Sequence, residues 1–248
     1  MIALIAAMDA EVRSVRRHFN FKDKQRDGAL TFQTGATRDN HEFVLALSGV
    51  GQANAAVAAE RLLNDFQLSA VISFGVAGAL VDGFTLGEIA IATSVIELHG
   101  GRVECDRELS QVSASVIDEL GLPQRSATSL TVAHVISDPR DKTRLHRETG
   151  AETVEMESFA IGRLASAARI PFAVLRAISD LDETRLPDFS RFMHEYEISS
   201  GRLALHLARH PRDVAPLVHF FSVTSEASGR FARIFERLIP RMAEGVAA

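Results

Sequence analysis

The feature that most constrains this chain is its alternation of short apolar runs with helical stretches. "IALIAAM" (2–8) leads into a helical stretch over 9–18, and "LTFQTGA" and "HEFVLALSG" read as a hairpin-like strand pair across the polar "TRDN". "GQANAAVAAERLLNDF" has apolar residues at helical spacing. "AVISFGVAGAL" and "GEIAIATSVIEL" read as buried strands, and "ELSQVSASVIDELGL" as a helix closed by Gly121 and Pro123. A strand over "SLTVAHVIS" precedes "DPRDKTRLHRETG", an Asp-Pro helix opening that stops at Gly150. "AETVEME", "SFAIGRLASAARI" and "PFAVLRAIS" then read as strand, helix, strand. This order predicts an α/β fold: a mixed, mainly parallel twisted central sheet with helices on both faces. At 248 residues, one domain accounts for the chain, with a core over about 1–200 and a helical tail over about 201–248, and the chain reads as helical from about Phe189 to the end.

In such sheets ligands sit beyond the carboxyl ends of the strands. Those ends carry Met8-Asp9-Ala10-Glu11, Ser48-Gly49, Gly75-Val76-Ala77-Gly78, Glu155-Met156-Glu157 and Ser179-Asp180. Each acid has a bland reading by itself. Glu11 and Glu157 suit helix N-termini, where the dipole favours a carboxylate, and Asp180 suits a cap or turn. Together they fall at the ends of three separate strands, where this fold forms its cleft, and that coincidence points to a site.

Other chemistries find less support. Gly49-x-Gly51 follows a strand, but Asn54 stands where a dinucleotide fingerprint needs its third small residue, and no acid ends the next strand. The turn still aims backbone N–H groups at an anion or hydroxyl. The histidines form no HExxH pair, so no metal site is expected, and there is no GxSxG elbow beside Ser158. The lone Cys105 excludes an intramolecular disulfide and reads as an inert small side chain. A formal charge of −5 argues against a nucleic-acid partner. The N-terminal apolar run lacks a basic flank and stops at Asp9, so a cytoplasmic protein is expected. In the tail, "FARIFERLI" puts Phe231, Ile234, Phe235, Leu238 and Ile239 on one stripe. That stripe reads as packing within the domain or between subunits, with a membrane or lipid contact as the sharper alternative.

"AAMDAEV", "SGVGQANAA", "FGVAGAL" with "GEIAIAT", "VEMES" and "LRAISD" occur in the order and approximate spacing of the nucleoside phosphorylase/nucleosidase superfamily. Over about residues 1–200 the chain resembles most the 5′-methylthioadenosine/S-adenosylhomocysteine nucleosidases. The resemblance implies that Asp180 donates a proton to the purine with Ser179 orienting it. It further implies that Glu157 binds the ribose hydroxyls, Met156 packs on the sugar, and Glu11 activates the attacking water. Val135 and Ile136 fall where the family holds adenine, and Gly49, Val76, Ala77 and Gly78 would line the cleft. No cofactor is implied, and a homodimer or larger homo-oligomer is.

The chain departs from the family in its pockets. Val76 replaces the usual serine of the glycine loop, and the stacking aromatic expected near Val135 is missing. "VEMES", the "LP" after "RAISD" and the long tail look more like the hopanoid-associated phosphorylase branch, which is linked to removing adenine from adenosylhopane. The expected activity is cleavage of the N-ribosyl bond of a purine nucleoside, a 5′-modified adenosine. The 5′ group is methylthio, homocysteinyl or a hydrophobic chain. Water is the preferred acceptor because Glu11 is present and no arginine cluster shows. Arg16 and Arg17 keep phosphorolysis as the alternative, and a non-catalytic nucleoside-binding protein is the other.

Overall fold

The structure, a computed structural model, describes residues 1–245 except 23, 29, 99, 188, 190–192, 195, 196 and 199. The chain opens with β1 (Ile2–Ala6), α1 (Asp9–His18), the short β2 (Asn20–Phe21) and β3 (Gln25–Asp27), then β4 (Leu30–Ala36) and β5 (Glu42–Leu47). It continues through α2 (Gln52–Asp65), β6 (Ala70–Ala79), β7 (Ile89–Glu97), β8 (Arg102–Glu104) and α3 (Arg107–Glu119). β9 (Gln124–Thr131), α4 (Pro139–Thr149), β10 (Thr153–Glu155), α5 (Ser158–Ala167) and β11 (Phe172–Asp180) follow. The two-residue strands β12 (Met193–His194) and β13 (Glu197–Ile198) then precede α6 (Ser200–Arg209) and α7 (Val214–Gly245).

The main sheet runs β10-β9-β7-β11-β6-β1-β5-β4-β2, with β3 on β4 and β8 on β7. β5, β1, β6 and β11 are parallel. β7, β9 and β10 form a second parallel block that meets β11 antiparallel. The far end of β6 also pairs with β10, Thr153 opposite Ala79 and Val154 opposite Gly78, so β6, β11, β7, β9 and β10 close on themselves. This closure brings the ends of β10 and β11 to the same stretch of β6.

The sheet is a buried layer, so its strands show the two-sided burial of a parallel core. Along β1, Ile2, Leu4 and Ala6 pack on one face with α1, α3 and α7, whereas Ala3 and Ile5 pack on the other with α2 and α5. The predicted Phe231, Ile234, Phe235, Leu238 and Ile239 stripe is fully buried against the first face. Phe231 and Phe235 meet Phe74 edge-on, with centroids 5.2 and 4.8 Å away. That stripe is core, not a membrane-facing surface. Among the described residues no helix is long and apolar enough to cross a membrane.

Two boundaries differ from the sequence reading. The strand expected over 129–137 spans Gln124–Thr131, because β10 turns into α5 and leaves residues beyond Thr131 without a pairing edge; Val132–Ile136 becomes a loop. The helical tail expected from about Phe189 starts at Ser200, after the antiparallel β12–β13 pair. Intrinsic helix preference is weak enough for pairing to override it.

Candidate active site

At the carboxyl ends of β1, β5, β6, β10 and β11 lies a cavity of about 450 Å³. Glu11, Glu157 and Asp180 line it, as do Met156, Ser179, Gly49, Val76, Ala77, Gly78, Val135 and Ile136. The fold thus brings the residues that the resemblance named for catalysis and substrate binding to one space, and leaves Arg16 and Arg17 off its lining. Leu186, Phe189, Phe220 and Phe221 form an outer apolar wall, and the last two come from the tail helix α7. Aromatic side chains thus reach the cavity from the tail, in one apolar cluster with Val135.

Glu11 enters on the first turn of α1, which has acids at its start and Arg16, Arg17 and His18 in its last turn, as the helix dipole favours. Its Oε2 accepts from the N–H groups of Ala7 (3.0 Å) and Met8 (2.8 Å), and its Oε1 from that of Val76 (2.9 Å). Val76 thus acts through its backbone, which any side chain at that position leaves in place. Burial raises the Glu11 pKa, against the opposing pull of Arg176 and these backbone bonds. Gly75 (φ 153°) leaves room for this arrangement, since a Cβ there would collide with Glu11 Oε1 and Arg176 Nη1.

Glu157 stands between β10 and α5. The glycine turn that looked able to hold an external anion holds this one: the Gly51 N–H donates to Glu157 Oε1 at 2.8 Å. Burial, opposed by Arg176 and reinforced by Glu155 and Glu11, pushes the Glu157 pKa up to about 7.

Glu155, for which the sequence suggested no task, is a brace. Its Oε2 accepts from the backbone N–H groups of Glu157 (3.0 Å) and Ser158 (2.8 Å), capping α5, and from Arg176 Nη2 at 2.5 Å. Its Oε1 accepts from Thr131 Oγ1. Arg176, missed from the sequence, is 2 % exposed in the middle of β11 and lies 3.5 Å from Glu157 Oε2. Burial opposes its charge, yet Glu155, Glu157 and Glu11 hold its pKa above the ordinary arginine value. A charged side chain inside so apolar a strand needs a buried partner, and that was the available signal.

Asp180 ends β11 after a shift in pairing register, opposite Gly78. A Cβ on Gly78 would sit 2.8 Å from Asp180 Oδ2, so glycine is required for this approach. Ser179 Oγ donates to Asp180 Oδ1 at 2.6 Å. Oδ2 accepts from Lys142 Nζ at 2.5 Å, a second residue the sequence did not reveal. The site therefore gathers three glutamates around one arginine, an aspartate against one lysine, and apolar walls on either side. Such a site can hold a polar ring system and offset positive charge developing on a ligand.

This closed sheet is that of the phosphorylase superfamily. The family model of that description matches residues 1–209, and the chain belongs to it. Among curated relatives, the 5′-methylthioadenosine/S-adenosylhomocysteine nucleosidase of Bacillus pumilus is 30% identical over 229 residues, covering 84% of this chain and 98% of the relative. The protein of the same name from Mycobacterium tuberculosis is 28% identical over 246 residues, covering 83% and 96%. Among solved structures, the Campylobacter jejuni 5′-methylthioadenosine/S-adenosyl homocysteine nucleosidase aligns with a TM-score of 0.78 at 19% identity, covering 97% of this chain and 98% of that one. The Helicobacter pylori futalosine hydrolase aligns with a TM-score of 0.77 at 17% identity, covering 97% of each. These structural likenesses bear on the fold.

Proposed function

We propose that the chain is a nucleosidase that releases adenine hydrolytically from a 5′-modified adenosine. The observation that carries this reading is the convergence of Glu11, Glu157 and Asp180 on one apolar-walled cavity in a member of this superfamily. The names of its relatives point the same way.

In this reading the purine lies between Asp180 and the Val135–Ile136 loop, and the ribose lies on Met156 with its hydroxyls on Glu157. As the C1′–N bond lengthens, its electron pair moves to the purine. A proton delivered by Asp180, oriented by Ser179, makes the base a better leaving group. The sugar becomes oxocarbenium-like, and the excess of carboxylates around Arg176 stabilises that charge. Water attacks C1′ and gives its proton to Glu11, as a carboxylate does in glycoside hydrolysis.

Water is favoured over phosphate by charge. Arg176, the arginine beside the cavity, is already engaged by Glu155 and Glu157, while Arg16 is paired with Asp9. A phosphate ion near the sugar would meet Glu11 and Glu157 at close range. The outer wall of Leu186, Phe189, Phe220 and Phe221 suits an apolar 5′ substituent. The reading carries with it a cytoplasmic enzyme that works as a homodimer or larger homo-oligomer, which light scattering on the purified protein tests.

The deciding experiment incubates a panel of 5′-modified adenosines with and without phosphate and identifies adenine with ribose or ribose 1-phosphate. Strict phosphate dependence sinks the hydrolase. Nucleoside binding without base release, unchanged in Asp180→Asn, leaves a binding protein instead.

A further inference from the structure

Lys142 is the most deeply buried charge in the described structure that the mechanism above does not use. α4 begins with Asp138 as its cap, whose side chain accepts from the Arg140 N–H, and with Pro139 in its first turn. One turn in, Lys142 leaves the charged outer face of the helix, and none of its surface is exposed. It sits behind Asp180 and does not itself line the cavity. Its Nζ donates to Asp180 Oδ2 and to the Leu181 carbonyl, both at 2.5 Å. A buried ion pair is a poor way to gain stability, since an apolar pair of the same volume does as well or better.

The pairing raises a difficulty for Asp180 as a proton donor. In an ion pair the carboxylate has no proton of its own to give. Among the described residues, the groups that hydrogen-bond its oxygens are the Ser179 hydroxyl and the Lys142 ammonium. A serine hydroxyl is far too weak an acid to protonate a purine, so the Lys142 ammonium is the group in contact with Asp180 that carries a transferable proton.

We propose that Lys142 is the proton reservoir for the base: its ammonium reprotonates Asp180 through Oδ2, and Asp180 hands that proton on to the leaving purine. The inference rests on the nucleosidase reading. One N–H bond of Lys142 breaks as an O–H bond forms on Asp180. That O–H proton moves to a purine ring nitrogen as the base takes the electron pair of the C1′–N bond. Lys142 is left as a neutral amine and Asp180 as a carboxylate, while Glu11 holds the proton of the attacking water. Solvent exchange between turnovers returns one proton from Glu11 to Lys142, so charge and protons balance. Lys142 acts through Asp180 and is a positioning and relay residue.

The other charged groups around the pair are accounted for. On α4, Arg144 pairs with both Asp141 and Glu148 at the surface, Arg140 and Arg147 are exposed, and His146 bonds the Ala151 carbonyl. Arg185 pairs with Asp138. Asp182 and Glu183 follow in the loop after β11. Across the cavity stand Glu11, Glu155 and Glu157 with Arg176, and His134 lies on its wall.

The test compares wild type, Lys142→Met and Lys142→Arg on the adenosine that the wild type cleaves best. Arginine keeps the charge and hydrogen bonds but cannot release its proton. The expected result is a kcat about 100-fold lower at pH 7 in both variants, the scale of a lost general acid, with KM within about threefold of wild type. The ratio of Lys142→Met to wild-type kcat should rise as pH is lowered from 8 to 5, because solvent then supplies the missing proton. If Lys142→Met does not melt cooperatively, Lys142→Gln takes its place. Arginine restoring the purine rate, or a rate ratio flat with pH, overturns the relay and leaves Lys142 as an electrostatic prop. A wild type that releases no base from any adenosine defeats the nucleosidase reading itself, a different result from the other two.

Discussion

The Gly51 N–H and the Glu157 carboxylate lie 106 residues apart in sequence and 2.8 Å apart in space. The turn that makes this bond has Gly49 at φ 85° and Gly51 at φ 91°, where a Cβ is strained. Gly51→Ala should therefore rotate the N–H away from Glu157 and loosen the group proposed to hold the ribose. The expected outcome is a KM several-fold higher, kcat/KM down about tenfold, and a melting temperature lower by about 3 °C. Steady-state kinetics beside a thermal melt checks it. A normal KM with the same loss of stability would detach this turn from substrate binding.

Glu157 is a case of stability given up for function. Its pKa is raised above 4.5 to about 7 in the folded protein, chiefly by burial. Between those values the unfolded chain has lost the proton and the folded one retains it, so this group makes stability fall as pH rises from about 4.5 to 7. Below that window the penalty is absent, and above it the penalty is complete. Glu157→Gln removes the titration. Its melting temperature relative to wild type should climb between pH 5 and pH 8, by about 5 °C, while base release is lost. In the wild type, kcat/KM should fall on the acid side with an apparent pKa near 7, since the ionised form binds the sugar and steadies its charge. A melting-temperature difference that is constant with pH would show that Glu157 does not carry the titration.

Glu155 and Arg176 predict a structural effect. Glu155→Ala leaves a buried guanidinium without its nearest carboxylate and uncaps two N–H groups at the start of α5. Breaking a buried pair on one side costs about 3–5 kcal/mol, which for a chain of this size lowers the melting temperature by at least about 6 °C. Scanning calorimetry measures it. A loss of activity without that drop would instead make Glu155 part of the chemistry.

How much of this was legible depended on what sequence patterns encode. The alternation of runs places strand ends on one edge, so Glu11, Glu157 and Asp180 could be grouped before any coordinates, and all three line the cavity. Arg176 left a trace as a charge inside the apolar "AVLRAIS". Lys142 left none: in "DPRDKTRLHRET" it is one of many charged residues on a helix, and only the packing of α4 behind β11 turns it inward. Glu155 ends β10 two residues before Glu157, yet its task comes from Thr131 and Arg176, which are distant in sequence. The tail's Phe220 and Phe221 reach the cavity through long-range packing that no local period reports.

That tail contribution yields a prediction about substrate choice. Phe220 is almost buried and meets Phe189 edge-on at 5.3 Å, so it supports the wall, whereas the neighbouring Phe221 is partly exposed and faces the same cavity. Truncating Phe221 removes apolar contact surface from the outer end of the site without touching Glu11, Glu157 or Asp180. Phe221→Ala should then lower kcat/KM for adenosines with an apolar 5′ substituent by about 10- to 100-fold, the range that lost hydrophobic contact gives, and change it little for adenosine itself. Competition between adenosine and a 5′-alkylthio analogue, read by adenine release, measures the ratio directly. An equal loss on both substrates would move Phe221 from the 5′ end of the site to the base or ribose, and the outer wall would have to serve something other than the 5′ group.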